Sequence, residues 1–300
     1  MFKRLIIPLD GSPLSEAVLP TAIHLALKLQ ASVTLIHVIE RNAPRQVHGK
    51  PHLATPQEAE PYLAEVQRRL FPSGIPVEVH VHSMAIADVA ESIVEHAREF
   101  GSDLVTMCTH GRGGLRKLLF GSIAQQVAAA GVPVLLVRPV EGGSPPVPCG
   151  GPILVPLDGT EVREAALPEA SALAKACGSI LHLLMIVPTL ETLSGAATSS
   201  SILLPATTQE MLALATEDAR AYLETLTTRL ASEGVKSRGE IRRGDAAEII
   251  TKEAQSQGAD LIVMGTAART GMDAFWSGSV SPKVSERTHL PLLLIPVLEV

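Results

Sequence analysis

Met107-Cys108-Thr109-His110-Gly111-Arg112-Gly113-Gly114, followed by Leu115 to Phe120 and then Gly121-Ser122, is the stretch whose reading decides the fold. The apolar run Leu104-Val105-Thr106-Met107 reads as a strand. The glycines after it form a loop, and Ile123 to Ala130, rich in Ala and Gln, is a helix with Ser122 placed to cap it. A helix start leaves unpaired backbone N–H groups and a positive dipole end. Glycines beside it let the backbone approach a bulky anion. Strand, glycine loop and helix together are a physical recipe for holding phosphate. A weaker copy lies later: Met264-Gly265-Thr266-Ala267-Ala268, nine residues, then Gly278-Ser279.

Outward from that stretch the chain alternates. Leu5-Ile6-Ile7 is a short buried strand, and Pro8-Leu9-Asp10-Gly11-Ser12 is the turn after it. Ser12 before Pro13 starts a helix expected to run to about Gln30. Val33 to Ile39 is a second strand, a near-continuous apolar run of the kind parallel sheets bury. Arg41 to Pro56, with Pro44 and Pro51 inside it, reads as a long loop. Gln57 to Leu70 is a helix, Val77 to Val81 a third strand and Asp88 to Phe100 a third helix. The fifth strand, Val134 to Val137, follows the glycine loop and its helix. Such alternation implies right-handed crossovers and a parallel sheet covered on both faces.

Glu141 to Pro152 is a linker by composition, and after it the pattern restarts. Ile7-Pro8-Leu9-Asp10-Gly11 recurs as Val155-Pro156-Leu157-Asp158-Gly159, and Leu19-Pro20 as Leu167-Pro168. Gly101 to Met107 recurs as Gly258 to Met264, Gly121-Ser122 as Gly278-Ser279, and Val132 to Val137 as Leu290 to Ile295. The chain is a tandem duplication with a unit of about 145 residues. Its expected domains are 1–141 and 152–300, joined by 142–151. In the second copy, Pro188 to Thr208, rich in Ser, Thr and Ala, reads as another long loop.

A length of 300 residues suits two such domains. Hydrophobic residues reach 46%, yet aromatics are only 3%, too few for a base-stacking surface. The net charge of −6 disfavours a general grip on nucleic acid or an anionic membrane. Cys108, Cys149 and Cys177 have no metal-like spacing and fit a reducing compartment. The N-terminal apolar run is too short for a signal peptide, and Leu290 to Leu298 is too short to span a bilayer. A cytoplasmic location is expected.

Each repeat resembles a universal stress protein domain. That family's nucleotide-binding members carry Gly-x-x-Gly, nine residues, then Gly-Ser or Gly-Thr after the fourth strand, and an Asp after the first. The resemblance covers nearly the whole chain except the linker and the two long loops. It implies two tandem doubly wound α/β domains, each a five-stranded parallel sheet of the adenine-nucleotide alpha hydrolase-like kind with strand order 3-2-1-4-5. Strands 1 and 4 then meet at the switch point where such sheets bind ligands. The implied nucleotide contacts are Pro8, Asp10, Val38, Met107, His110, Gly111, Gly121, Ser122 and Ile123 in the first copy. In the second they are Pro156, Asp158, Met264, Gly265, Thr266, Gly278, Ser279 and Val280, with Met185 at the position of Val38. The implied ligand is ATP or ADP, with Mg²⁺ as an accessory. Both copies depart from the motif: its opening Gly is Cys108 in the first, and its inner Gly is Ala268 in the second.

The residues also admit plainer readings. Asp10 and Asp158 suit an Asx-type turn as well as a ligand contact. Arg112, Arg116 and Lys117 suit a solvated surface. His80 and His82 share a strand face, but no third ligand with metal-like spacing follows, so no metal is assigned. Cys108 reads as a buried strand-end thiol before a redox sensor. The chain lacks a P-loop and a dinucleotide Gly-x-Gly-x-x-Gly after either first strand, and no catalytic residue is assigned. The first expectation is thus a non-enzymatic ATP or ADP module of the stress response that an unknown partner protein reads. An interaction protein with degenerate pockets is the alternative, and a slow ATPase the third. The fifth strands would be bare apolar edges; in the family such edges pair between domains, implying an internal pseudo-dimer, with further homodimerisation left open.

Overall fold

A computed structural model describes residues 1–41, 46–47, 50–109, 122–139, 147–148, 150–193, 203–268 and 280–298. The chain divides into two compact units. The first takes the described residues up to Pro148 together with 267–268 and 289–298; the second takes 150–266 and 280–288.

In the first unit the strands are β1 (Arg4–Pro8), β2 (Ser32–Glu40), β5 (Val77–Ile86), β6 (Leu104–Cys108), β7 (Val134–Val137) and β12 (Leu292–Leu298). Their order is β5-β2-β1-β6-β7-β12, so the first five strands follow the expected 3-2-1-4-5. β1 runs parallel between β2 and β6, with Leu5 opposite Val33 on one side and Leu104 on the other. Leu5, Ile6 and Ile7 are fully buried, as strands covered on both faces must be. β12 lies antiparallel to β7, Leu293 opposite Leu135, and covers an apolar edge that would otherwise be open. The second unit repeats the plan with β8 (Ile153–Leu157), β9 (Leu181–Val187), β10 (Ser237–Arg243) and β11 (Leu261–Ala268), in the order β10-β9-β8-β11 and parallel.

Several expected boundaries move. The helix expected over 13–30 is two helices, α1 (Pro13–Glu16) and α2 (Leu19–Leu29). Pro20 is the cause: it has no N–H to give the Glu16 carbonyl, and its ring clashes there. Pro168 splits the second copy the same way, into α6 (Glu161–Glu164) and α7 (Leu167–Cys177). The expected loop after β2 contains a minimal hairpin, β3 (Gln46–Val47) with β4 (Lys50–Pro51), too short to leave a period in the sequence. α3 (Pro56–Leu70) follows, started by a Thr55/Glu58 capping box. β5 extends five residues beyond the expected Val81, carried by its pairing with β2 as far as Glu40 opposite Ile86. In the second copy, a long helix (Pro205–Ser232) claims the end of the expected loop, because Pro205 is preset for the first turn. Among the described residues, no helix is long and apolar enough to cross a membrane.

Candidate functional site

The turn after β1 is built by short-range chemistry. Gly11 takes φ +84°, a region that favours glycine, and a Cβ there would also meet the Leu53 side chain at 2.9 Å. Asp10 Oδ1 accepts the Ser12 N–H at 2.9 Å, and Ser12 Oγ accepts the Ser15 N–H at 3.1 Å to cap α1. The turn reading of Asp10 is therefore realised, and it leaves the carboxylate at the carboxyl end of β1.

Beside that turn lies a cavity of about 310 Å³. Pro8 and Asp10 form one wall and Val38, from the end of β2, another. Met107 and Cys108 close β6, and Ile123 comes from α5 (Ser122–Ala129). Five of the nine residues singled out in the first copy, namely Pro8, Asp10, Val38, Met107 and Ile123, thus line one cavity at the switch point between β1 and β6. His110, Gly111 and Gly121 lie outside the described residues, as do Arg112, Arg116 and Lys117. Ser122 opens α5, and only its backbone is described.

Sequence reasoning missed six polar members of this wall: Ser15, His37, Glu40, His52, Asp88 and Gln126. Asp88 caps α4 (Val89–Glu99) by accepting the Glu91 N–H at 2.9 Å, and an Asp before a helix was its only signal. His37 is buried, with Nδ1 2.7 Å from the Leu9 carbonyl oxygen and Nε2 3.0 Å from that of Leu53. It ties the segment 50–55 to the β1 turn. His52, carried on that segment, is buried, and among the described residues neither of its ring nitrogens has a hydrogen-bond partner. Burial and the nearby His37 push its pKa down, against the pull of Asp10 and Glu58.

Cys108 is buried, and burial raises its thiol well above the ordinary range. Its Sγ–H points at the Ser15 carbonyl oxygen 3.8 Å away, and a thiol held protonated is a poor redox sensor. His80 and His82 are joined by His96 from α4: His82 Nδ1 lies 3.3 Å from His96 Nε2. Among the described residues, however, no three side chains are placed to hold a metal ion. Burial is the main reason that His52, His80 and His182 all have lowered pKa values. Each favours the neutral ring in the folded chain, while the unfolded chain takes up protons near pH ~6.5. Their stabilisation is present above that value and drains away as pH falls below it. Thermal melts at pH 7.5 and 5.5 are expected to show a lower Tm in acid, with a smaller drop in His80→Phe.

The second copy is arranged differently. Pro156 is in β8 opposite Leu184, and Met264 and Thr266 are buried in β11. Asp158 accepts from the Thr160 N–H at 3.0 Å and faces Arg163 Nε at 3.4 Å. Gly265 carries no side chain because the Val162 carbonyl stands where a Cβ would go. Met185 packs on a cluster of Val187, Leu212 and Ala219. Val280 begins a helix that ends at Arg287, and Gly278 and Ser279 lie outside the described residues.

A mostly parallel sheet with a cavity at the carboxyl ends of its central strands gives the first unit the architecture of a doubly wound α/β domain. The profile of the universal stress protein family matches residues 1–138 and 151–296, and the chain belongs to that family. Universal stress protein YxiE of Bacillus subtilis is 26% identical over 151 residues, 46% of this chain and 100% of the relative. Universal stress protein MJ0531 of Methanocaldococcus jannaschii is 31% identical over 145 residues, 46% of this chain and 83% of the relative. Both alignments are about one repeat long. A solved universal stress protein from Archaeoglobus fulgidus matches across 98% of both chains with a TM-score of 0.72 and 20% identity, a likeness of fold.

Proposed function

We propose that the chain is a non-enzymatic regulatory module of the stress response that holds ATP or ADP in its first repeat. The observation that carries this reading is the convergence of Asp10, Val38, Met107 and Ile123 on one cavity of about 310 Å³. That size is at the lower end of small-molecule sites, and it suits the nucleoside half of the ligand. Val38, Met107 and Ile123 offer apolar faces to a base, and Asp10 offers acceptors to ribose hydroxyls. Carboxylates of Asp10, Glu40 and Asp88 repel phosphate, whereas the start of α5 is a helix N-terminus that favours it, so the phosphates are assigned toward α5. Mg²⁺, if bound, accompanies the phosphates.

Denaturing the purified protein and identifying the released small molecule by mass spectrometry tests the reading. One adenine nucleotide per chain is expected. Val38→Trp, which fills the cavity from a strand end, is expected to abolish it while the far-UV circular dichroism stays unchanged. Cys108 in place of the motif's opening glycine favours a second reading, a nucleotide-free interaction protein. Nothing released, and no binding by calorimetry at millimolar MgATP, would leave that second reading standing.

A further inference from the structure

We infer that the second repeat keeps its own crevice shut with Arg163, so that the chain offers one nucleotide site rather than two; this rests on the reading that the first crevice takes an adenine nucleotide. The two repeats anchor the short helix after their first strand in the same way. Glu16 on α1 accepts from the Tyr62 hydroxyl at 3.1 Å and pairs with Arg69 at 2.5 Å. Glu164 on α6 accepts from the Tyr222 hydroxyl at 2.8 Å and pairs with Arg229 at 3.3 Å. Asp10 and Asp158 each accept the N–H two residues on, at 2.9 and 3.0 Å. With the helix and the aspartate matched, the difference lies in two residues between that helix and the fourth strand.

In the first repeat those residues are Ser15 and Cys108. The Cys108 side chain fills the gap between strand and helix, its Sγ 3.8 Å from the Ser15 carbonyl oxygen, and both residues line the cavity. In the second repeat the same positions hold Arg163 and Gly265. With no side chain at 265, the Val162 carbonyl and the Arg163 Cα occupy the space a Cβ would need. Arg163 then turns inward. Its Nη1 donates to the Gly265 carbonyl oxygen, and its Nε lies 3.4 Å from Asp158 Oδ2. The side chain is only 21% exposed. One arginine therefore engages both the aspartate after the first strand and the backbone of the fourth. Cys108 is the counterpart spacer: a small apolar prop that keeps the first helix off its strand and its crevice open. A phosphate drawn to Arg163 would have to break both contacts before it could enter.

Native mass spectrometry of the full chain titrated with MgATP counts the sites. The wild type is expected to take one equivalent, Ser15→Arg none, and the double variant Arg163→Ser, Gly265→Cys two. Two equivalents on the wild type would overturn the plug and leave the nucleotide reading intact. A folded double variant that stays at one would also overturn it. If the wild type takes none, the nucleotide reading fails, and the plug is decided without nucleotide by Gly265→Ala. Its added Cβ meets the Val162 carbonyl, so Tm is expected to fall by about 4 °C or more. An unchanged Tm would show that α6 does not rest on Gly265, and the plug would be wrong.

Discussion

Leu135→Asp is expected to destabilise the protein by more than about 4 kcal/mol and to release β12. Leu135 is 1% exposed and sits mid-strand in β7, opposite Thr106 of β6 on one side and Leu293 of β12 on the other. A carboxylate there loses its water, and neither the facing Thr106 hydroxyl nor the Leu293 side chain brings a positive charge to replace that hydration. It must either protonate or push β12 away. Leu135→Ala, which leaves only a cavity, is expected to cost about 2–5 kcal/mol and to keep the pairing. Chemical denaturation gives the two energies, and hydrogen exchange over 292–298 separates the two outcomes. Protected β12 amides in folded Leu135→Asp would show that the strand is held by something other than β7.

Arg242→Ala is the second large effect, expected to cost about 2–3 kcal/mol. Arg242 on β10 donates from Nε to Glu253 Oε1 at 2.8 Å and also reaches Glu240. Glu253, on the helix Ala246–Ser256, is buried. Removing one partner of a fully buried pair costs about 3–5 kcal/mol; the arginine side chain is 37% exposed, so solvent reduces the figure. Burial alone would raise the Glu253 carboxyl, but hydrogen bonds from Arg242 and Gln257 outweigh it and hold the pKa below the ordinary 4.5. A lowered carboxyl pKa stabilises the fold above the unfolded value, and that contribution is lost as pH falls through the folded one. In Arg242→Ala the largest opposition to burial is gone and the Gln257 hydrogen bond is left, so Glu253 protonates more readily. The Tm gap between wild type and variant is therefore expected to narrow as pH drops below about 4.5. A gap that stays constant from pH 7 to 3.5 would place the loss in packing rather than in the charge.

Much of this molecule can be read from its sequence because the sequence states it twice. Two copies of strand, Asp-Gly turn and Leu-Pro helix mark the same elements, and the parallel order follows from their alternation. Asp10, Val38, Met107 and Ile123 are legible as a set because the resemblance places the first three at or just after the ends of adjacent strands and Ile123 at the start of the following helix, where the cavity lies. His37 and His52 are not. A histidine inside an apolar strand and another in a proline-rich loop carry no local signal, and only the tertiary contact between Leu53 and the β1 turn brings them together. The antiparallel pairing of β12 with β7 was equally hidden in each strand alone, since VLLV and LLLI specify burial and not direction. Pro20 was visible, but its effect depended on which turn of the helix it would enter.

The placement of β12 in the first unit also sets an order of events. Residues 1–137 supply every other strand of that unit's sheet, but its outermost strand begins at Leu292. A nascent chain that has made the whole first repeat therefore carries a sheet with one raw apolar edge, and keeps it until the second repeat has been synthesised. Through that interval the edge is the feature most open to pairing with a neighbouring nascent chain. Slowing translation across residues 138–291 is therefore expected to lower the yield of folded protein.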